Sequence, residues 1–166
     1  MSVVLFVVAT GAALGSRPSV VSGPVAITTL ESLPDATATR VVSPVLVSLE
    51  DKAKRARGVA ALGYFGVRTS LSAGLPIYLV RDGETVRGFI AVDPRNGCEL
   101  EFLNVFTRPN YPAMFHDVCH GSIYDLSGEK LGGPTPWTLD ELVITVRDGV
   151  VYADAGVVRP GHLVAR

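Results

Sequence analysis

Residues 115–139 read FHDVCHGSIYDLSGEKLGGPTPWTL, and this stretch decides the fold. Gly and Pro punctuate it too often for a helix or a long strand, so it reads as loops joined by short extended pieces. Clear strand grammar lies on either side of it. Upstream, IYLVR, an Asp82-Gly83 turn and TVRGFIAV form a hairpin, because Asp-Gly supplies the positive φ that tight turns need. Downstream, LVITV, Asp148-Gly149 and VVYAD repeat the device. Two hairpins framing an irregular insert, residues 93–136, predict a β-sandwich or small barrel that carries its site on loops.

The rest of the composition agrees. Seventeen Gly and eleven Pro among many Val and Thr suit short strands and turns. With 48 % apolar and 19 % charged residues the chain has enough apolar surface to fold, and its 166 residues suit one domain plus an arm or anchor. A formal net charge of -1 without a basic stripe gives nucleic-acid binding no electrostatic support. In residues 25–42, VAITTLESLPDATATRVV reads as two short strands around LPDA. LEDKAKRARGVAALG, residues 49–63, predicts a short helix with Lys52, Lys54, Arg55 and Arg57 on a solvated face.

The first fifteen residues, MSVVLFVVATGAALG, are almost wholly apolar. A bilayer-spanning helix needs about 20 such residues, and the Lys or Arg that precedes a signal-peptide core is missing. The run reads as a membrane anchor with its start cut short, the alternative being a buried N-terminal strand. Residues 16–24, SRPSVVSGP, read as an extended linker. Two cysteines, Cys98 and Cys119, are too few for a disulfide-rich scaffold or a four-thiolate site, and taken alone they could be buried thiols.

Taken together, Cys119, His120, Gly121, Ser122, Tyr124, Asp125, Gly128, Gly132, Gly133, Pro134, Pro136 and Leu139 resemble the second cluster-binding box of Rieske iron–sulfur proteins. Upstream, Asp93-Pro94-Arg95-Asn96-Gly97-Cys98 stands at the spacing of the first box of the quinol-oxidising branch. The resemblance implies an all-β fold: a Rieske-type β-sandwich over residues 25–156 with an inserted cluster-binding-type loop subdomain, and a tail over 157–166. It also implies that Cys98 and Cys119 form a disulfide linking the two loops, which places the domain in an oxidising compartment. Ser122 and Tyr124 match hydroxyls that tune the cluster in the family, and Pro134 matches the loop that covers it. Without a cluster, the two hydroxyls are expected to bond loop backbone.

The departures from the family pattern carry the functional expectation. A Rieske centre takes two Cys and two His ligands; here the four positions hold Asp93, Arg95, Asp117 and His120, so His120 alone is retained. Arg is not a donor ligand, and carboxylates substitute poorly for thiolate on iron–sulfur. The resemblance then implies a cluster-less, non-catalytic protein, a structural or regulatory subunit of a membrane respiratory complex. Its partner would be a cytochrome b-type or other membrane subunit, and its domain would face the extracytoplasmic side.

The simplest filling for the vacated corner is an ion-pair plug, with Arg95 between Asp93 and Asp117 and His120 hydrogen-bonded at one side. One alternative is a [2Fe–2S] electron-transfer subunit of a quinol oxidoreductase with altered ligands. A second is a mononuclear metal protein or enzyme using His116, His120 and Asp117 or Asp93. His162 falls outside the matched region and reads as a solvent-exposed side chain, and Trp137 as core packing or loop cover.

Overall fold

The computed structural model describes residues 23–43, 75–104 and 112–164, and every regular element among them is a strand. These are β1 (Pro24–Thr29), β2 (Thr37–Ser43), β3 (Leu75–Asp82), β4 (Thr85–Ile90) and β5 (Leu100–Leu103). They are followed by β6 (Met114–Asp117), β7 (Ile123–Tyr124), β8 (Lys130–Gly132), β9 (Glu141–Arg147) and β10 (Val150–Arg159). The apolar N-terminal segment and the helix expected over residues 49–63 lie outside the described residues. Among the described residues, no helix is long and apolar enough to cross a membrane.

Two antiparallel sheets result. The larger has six strands in the order β1-β10-β9-β4-β3-β2, and the smaller has four in the order β5-β6-β7-β8. Both expected hairpins form. In the second, Asp148 (φ 50) and Gly149 (φ 72) both take positive φ, as a two-residue turn matched to strand twist requires. In the first, Asp82 still pairs with Thr85, so the turn residues are Gly83 and Glu84, one position later than the sequence reading placed them. The strained position there is the first turn residue, which Gly83 fills at φ 59. The two early strands, β1 and β2, stand at opposite edges of the large sheet, beside β10 and β3 respectively.

Side-chain alternation along β3 explains why the large sheet is covered on both faces. Ile77 and Leu79 enter one core with Val86, Ile90, Leu142 and Val151. Tyr78 and Val80, pointing the other way, join Phe89, Leu100, Phe115, Tyr124 and Leu139. That second core holds the insert onto the sheet. Tyr78 and Phe115 have ring centroids 4.9 Å apart, and Phe89 and Phe115 5.9 Å, in the tilted geometry aromatic pairs favour. Each fully buried side chain of this size contributes roughly 1.5–3 kcal/mol through lost apolar exposure. The buried Tyr78 hydroxyl donates to the Leu100 carbonyl at 2.9 Å, so its polar end is satisfied too.

Strands β4 and β9 are themselves neighbours, paired through Gly88 with Leu142 and Phe89 with Glu141. Residues 91–140 therefore leave the large sheet and return beside their point of departure, carrying the small sheet and its loops. Arg40 on β2 reaches across to bond Glu99 at the base of this excursion. The chain's last described residues are tied down as well. Gly161 N–H donates to Asp140 Oδ1 at 2.6 Å, Thr138 N–H to the His162 carbonyl at 3.0 Å, and Val164 N–H to the Pro136 carbonyl at 2.8 Å. The His162 imidazole remains largely exposed, 3.8 Å from Glu129.

Candidate functional site

Two loops with one hydrogen-bond plan meet at the end of the small sheet. In each, an Asp opens the loop and caps it with its own carboxylate. Asp93 Oδ1 accepts from the Arg95 and Asn96 N–H groups at 2.8 and 3.2 Å. Asp117 Oδ1 accepts from the Cys119 and His120 N–H groups at 2.9 and 3.3 Å. Four residues after each Asp stands a glycine in the left-handed region, Gly97 (φ 73) and Gly121 (φ 79). Each donates its N–H to the carbonyl of its Asp at 2.8 Å, and each Asp N–H donates to the carbonyl five residues on, that of Cys98 or Ser122, also at 2.8 Å. The sequence carries this as a short repeat, Asp-x-x-Asn-Gly-Cys and Asp-x-x-His-Gly-Ser, which the sequence reading passed over. Asp at a turn start suits the plan because its short side chain reaches the N–H groups two and three residues on.

The loops are joined covalently by the Cys98–Cys119 disulfide, with 6.2 Å between Cα atoms. A second bridge comes from Asn96, a residue to which the sequence reading gave no role. Its Nδ2 lies 3.0 Å from Asp117 Oδ2 and 2.9 Å from His120 Nδ1, while its Oδ1 accepts from the Cys98 N–H at 2.7 Å. Because the amide donates to His120 Nδ1, the neutral imidazole carries its proton on Nε2. The place expected for Arg95 between the two carboxylates therefore belongs to Asn96. Arg95 is exposed and its guanidinium donates instead to the Pro134 carbonyl at 3.2 Å. An amide fits this corner better than a guanidinium because it supplies both a donor and an acceptor to loops that offer both.

The second oxygen of Asp93 faces inward and meets two hydroxyls. Tyr124 and Thr135 each donate to Asp93 Oδ2 at 2.6 Å. Ser122 donates to Thr135 Oγ1 at 2.9 Å and accepts from the Thr135 N–H at 3.2 Å. Asp93, Ser122, Tyr124 and Thr135 are all fully buried. Burial costs a charged carboxylate heavily unless its oxygens are filled, and here four donors occupy both of them. Tyr124 and Ser122 thus serve the Asp93 side chain rather than holding loop backbone alone, and Thr135 is the partner the sequence reading missed. The Tyr124 hydroxyl is held protonated far above the ordinary tyrosine range, first by burial and then by its hydrogen bond to Asp93. Tyr78 is also raised, by burial against a smaller lowering from Arg40.

Pro134 contributes its carbonyl to Arg95, and the adjoining Gly133 fixes how closely this loop approaches. A Cβ at Gly133 would lie 2.4 Å from the Ser122 Cα and 2.5 Å from the Gly121 carbonyl oxygen. Glycine is required there by contact as well as by its φ of 88°.

The four positions expected to hold cluster ligands come together at this corner, but their chemistry does not fit a metal cluster. A carboxylate offers about four acceptor directions, and Asp93 has four donors on it. Arg95 cannot ligate and points to Pro134. That leaves His120, half-exposed, and the outer oxygen of Asp117, 3.4 Å from its ring. His116 lies on β6 opposite Glu101 and Ile123, half-buried. Among the described residues, the His, Cys and acidic groups placed closely enough to share an ion are Cys98, Asp117 and Cys119, a set that includes neither His116 nor His120. Clefts of about 440 Å³, against Val80, Arg81 and Leu126, and about 240 Å³, against Glu129, Glu141 and His162, open elsewhere, and no ligand position lines either. No family model and no curated protein matches this chain.

Proposed function

We propose that this chain is a Rieske-like domain in which a hydrogen-bonded carboxylate has taken over the place of the [2Fe–2S] cluster. On this reading it acts as a structural or regulatory subunit of a membrane quinol-oxidising complex, without redox chemistry of its own. The observation that carries the reading is the filled Asp93 carboxylate. Tyr124, Thr135 and two backbone N–H groups converge on it, and no acceptor direction is left over for iron. Hydroxyls that would steady an anionic cluster can steady an anionic side chain by the same bonds, so the fold survives the loss of its cofactor. The disulfide and the Asn96 bridge keep the two loops presented as one rigid tip.

The two antiparallel sheets and the insert between β4 and β9 are consistent with a Rieske-type sandwich carrying its loop subdomain. The apolar residues 1–15 serve as the membrane anchor in this reading, and the disulfide suits an extracytoplasmic domain. A cytochrome b-type subunit is the proposed partner, met through the tip that bears the loops.

The test is the iron and acid-labile sulfide content of the full chain, produced anaerobically with iron–sulfur assembly machinery. Neither element is expected, with Cys98 and Cys119 paired. Two irons and two sulfides per chain would overturn the reading and make this an electron carrier. Separately, the chain solubilised from its membrane should co-purify with other subunits; a free monomer would remove the assembly role.

A further inference from the structure

The two aspartates are unequal as potential ligands, and the difference points to a second chemistry at the same corner. Asp93 is saturated, whereas Asp117 Oδ2 accepts one hydrogen bond, from Asn96, and so keeps an open acceptor direction. The two cysteine sulfurs and a carboxylate oxygen of Asp117 all lie within 4.8 Å of one another, with His120 outside that set while the disulfide is intact. His120 Nδ1 lies 3.4 Å from Asp117 Oδ2. Tetrahedral zinc, with bonds of about 2.0–2.1 Å to N and O and about 2.3 Å to S, sets its ligands about 3.3–3.8 Å apart. The His–Asp spacing already matches that edge, and the Cys–Asp spacings, at most 4.8 Å, exceed it by no more than about 1.3 Å. The Asn96 amide, 3.0 Å from Asp117 Oδ2 and 2.9 Å from His120 Nδ1, holds both ligand atoms aimed at one point as a cation would.

We propose that reduction of the Cys98–Cys119 disulfide converts this corner into a tetrahedral site for a zinc-type divalent cation, ligated by Cys98, Cys119, Asp117 and His120. The reductant is a dithiol. One of its thiolates attacks the Cys119 sulfur, which belongs to an exposed residue, and the S–S bond breaks with Cys98 leaving as thiolate. The second thiolate of the dithiol then attacks the mixed disulfide and releases Cys119. Two electrons pass to the protein, and the dithiol becomes a disulfide. The cation binds the two thiolates, so the two protons of the original dithiol end in water. It displaces the Asn96 amide from Asp117 and His120, and the exposed His120 ring closes the fourth position. The site is closed while the disulfide is intact, so metal occupancy reports the redox state of the tip. This holds whether or not the domain docks on a membrane complex.

The experiment is a Co(II) titration, followed by competition with Zn(II), on the full chain reduced with a phosphine and freed of reductant without air. The reduced protein should take up one equivalent, giving the intense visible bands of tetrahedral cobalt and a thiolate-to-cobalt charge-transfer band. The oxidised protein should give neither, and Cys119→Ser, left with one thiolate, should bind more weakly with a diminished charge-transfer band. His120→Ala, a change at an exposed side chain, should bind at least about tenfold more weakly. Should the reduced apo chain lose structure, the cobalt spectrum still reads the site, because metal binding then drives folding. Absence of a thiolate–cobalt band in the reduced wild type overturns the proposal, and so does His120→Ala binding as tightly as wild type. Iron and sulfide content decides the cluster question independently of either result.

Discussion

The loops at 93–98 and 117–122 share a backbone and differ in what their aspartates face. Both Asp residues are fully buried, both cap two N–H groups, and both end on a left-handed glycine. Asp93 then turns its second oxygen inward to Tyr124 and Thr135. Asp117 turns its second oxygen to Asn96 and a half-exposed His120. The first loop is thereby locked into the core through side-chain bonds, and the second is held chiefly by its neighbour. The same local code serves as an anchor where hydroxyls can reach its second oxygen and as an open ligand set where they do not.

Truncating each aspartate should break this comparison most visibly. Asp93→Ala leaves two buried hydroxyls and two N–H groups without an acceptor, and opens a small void beneath them. Hydrogen bonds to charged groups are worth about 1.5–3 kcal/mol each, and orphaned buried donors add their own desolvation cost. A loss of about 4 kcal/mol in unfolding free energy is expected, against about 2 kcal/mol for Asp117→Ala, whose released N–H groups sit in exposed residues that water can reach. Urea denaturation of both variants checks this. Equal losses would mean that the inward bonds of Asp93 add nothing to the shared cap.

Opening the covalent link should produce the next largest effect and sharpen the contrast. Replacing Cys98 and Cys119 together by Ser releases a loop with a sequence separation of 21, worth about 3 kcal/mol on the chain-entropy model. The loss should be uneven in space. With the disulfide gone, Asp93 still holds the first loop through Tyr124 and Thr135, while the second loop keeps its cap, Asn96 and, at its far end, the Ser122–Thr135 bonds. Native-state amide exchange at Gly121 should therefore quicken more than at Gly97, the two amides being equivalent in the shared plan. Equal acceleration would show that the bridge, rather than the anchor, organises both loops.

How much of this was legible beforehand follows from the range of the interactions. The hairpins were readable because Asp-Gly and alternating β-branched residues act within a few positions, as at Asp148-Gly149. The all-β class followed from the same local signals. The first turn slipped by one residue because Asp82 and Gly83 both suit a turn and only the ladder pairing of Asp82 decides between them. The site was legible as a set of positions and misread as a set of contacts. Arg95 looked like the natural partner for two carboxylates, but each carboxylate turned first to its own backbone. Asn96 and Thr135 drew no reading, since nothing within a few positions announces that one spans 21 residues to Asp117 and the other 42 to Asp93. The overlooked signal was the short Asp-x-x-x-Gly repeat, which states the cap locally without stating what lies across from it.

The smallest predicted effect isolates the inward bond itself. Tyr124→Phe removes one donor to Asp93 Oδ2 and leaves Thr135 in place, so a loss of about 1–2 kcal/mol at neutral pH is expected. Its pH dependence is more telling than its size. Because the folded protein raises the Tyr124 pKa above the ordinary value, which is about 10, the native state retains that proton where the unfolded chain releases it. The contribution is whole below about pH 10 and falls as pH rises beyond it, since the unfolded state then binds fewer protons. Wild type should lose stability steeply above that point, and Tyr124→Phe less so, with the residual slope owed in part to Tyr78, which is raised by burial as well. The gap between the two proteins should narrow with alkalinity in denaturation curves taken from neutral pH upward. A constant gap would mean that Tyr124 ionises as freely in the fold as outside it, and that Asp93 is anchored by Thr135 alone.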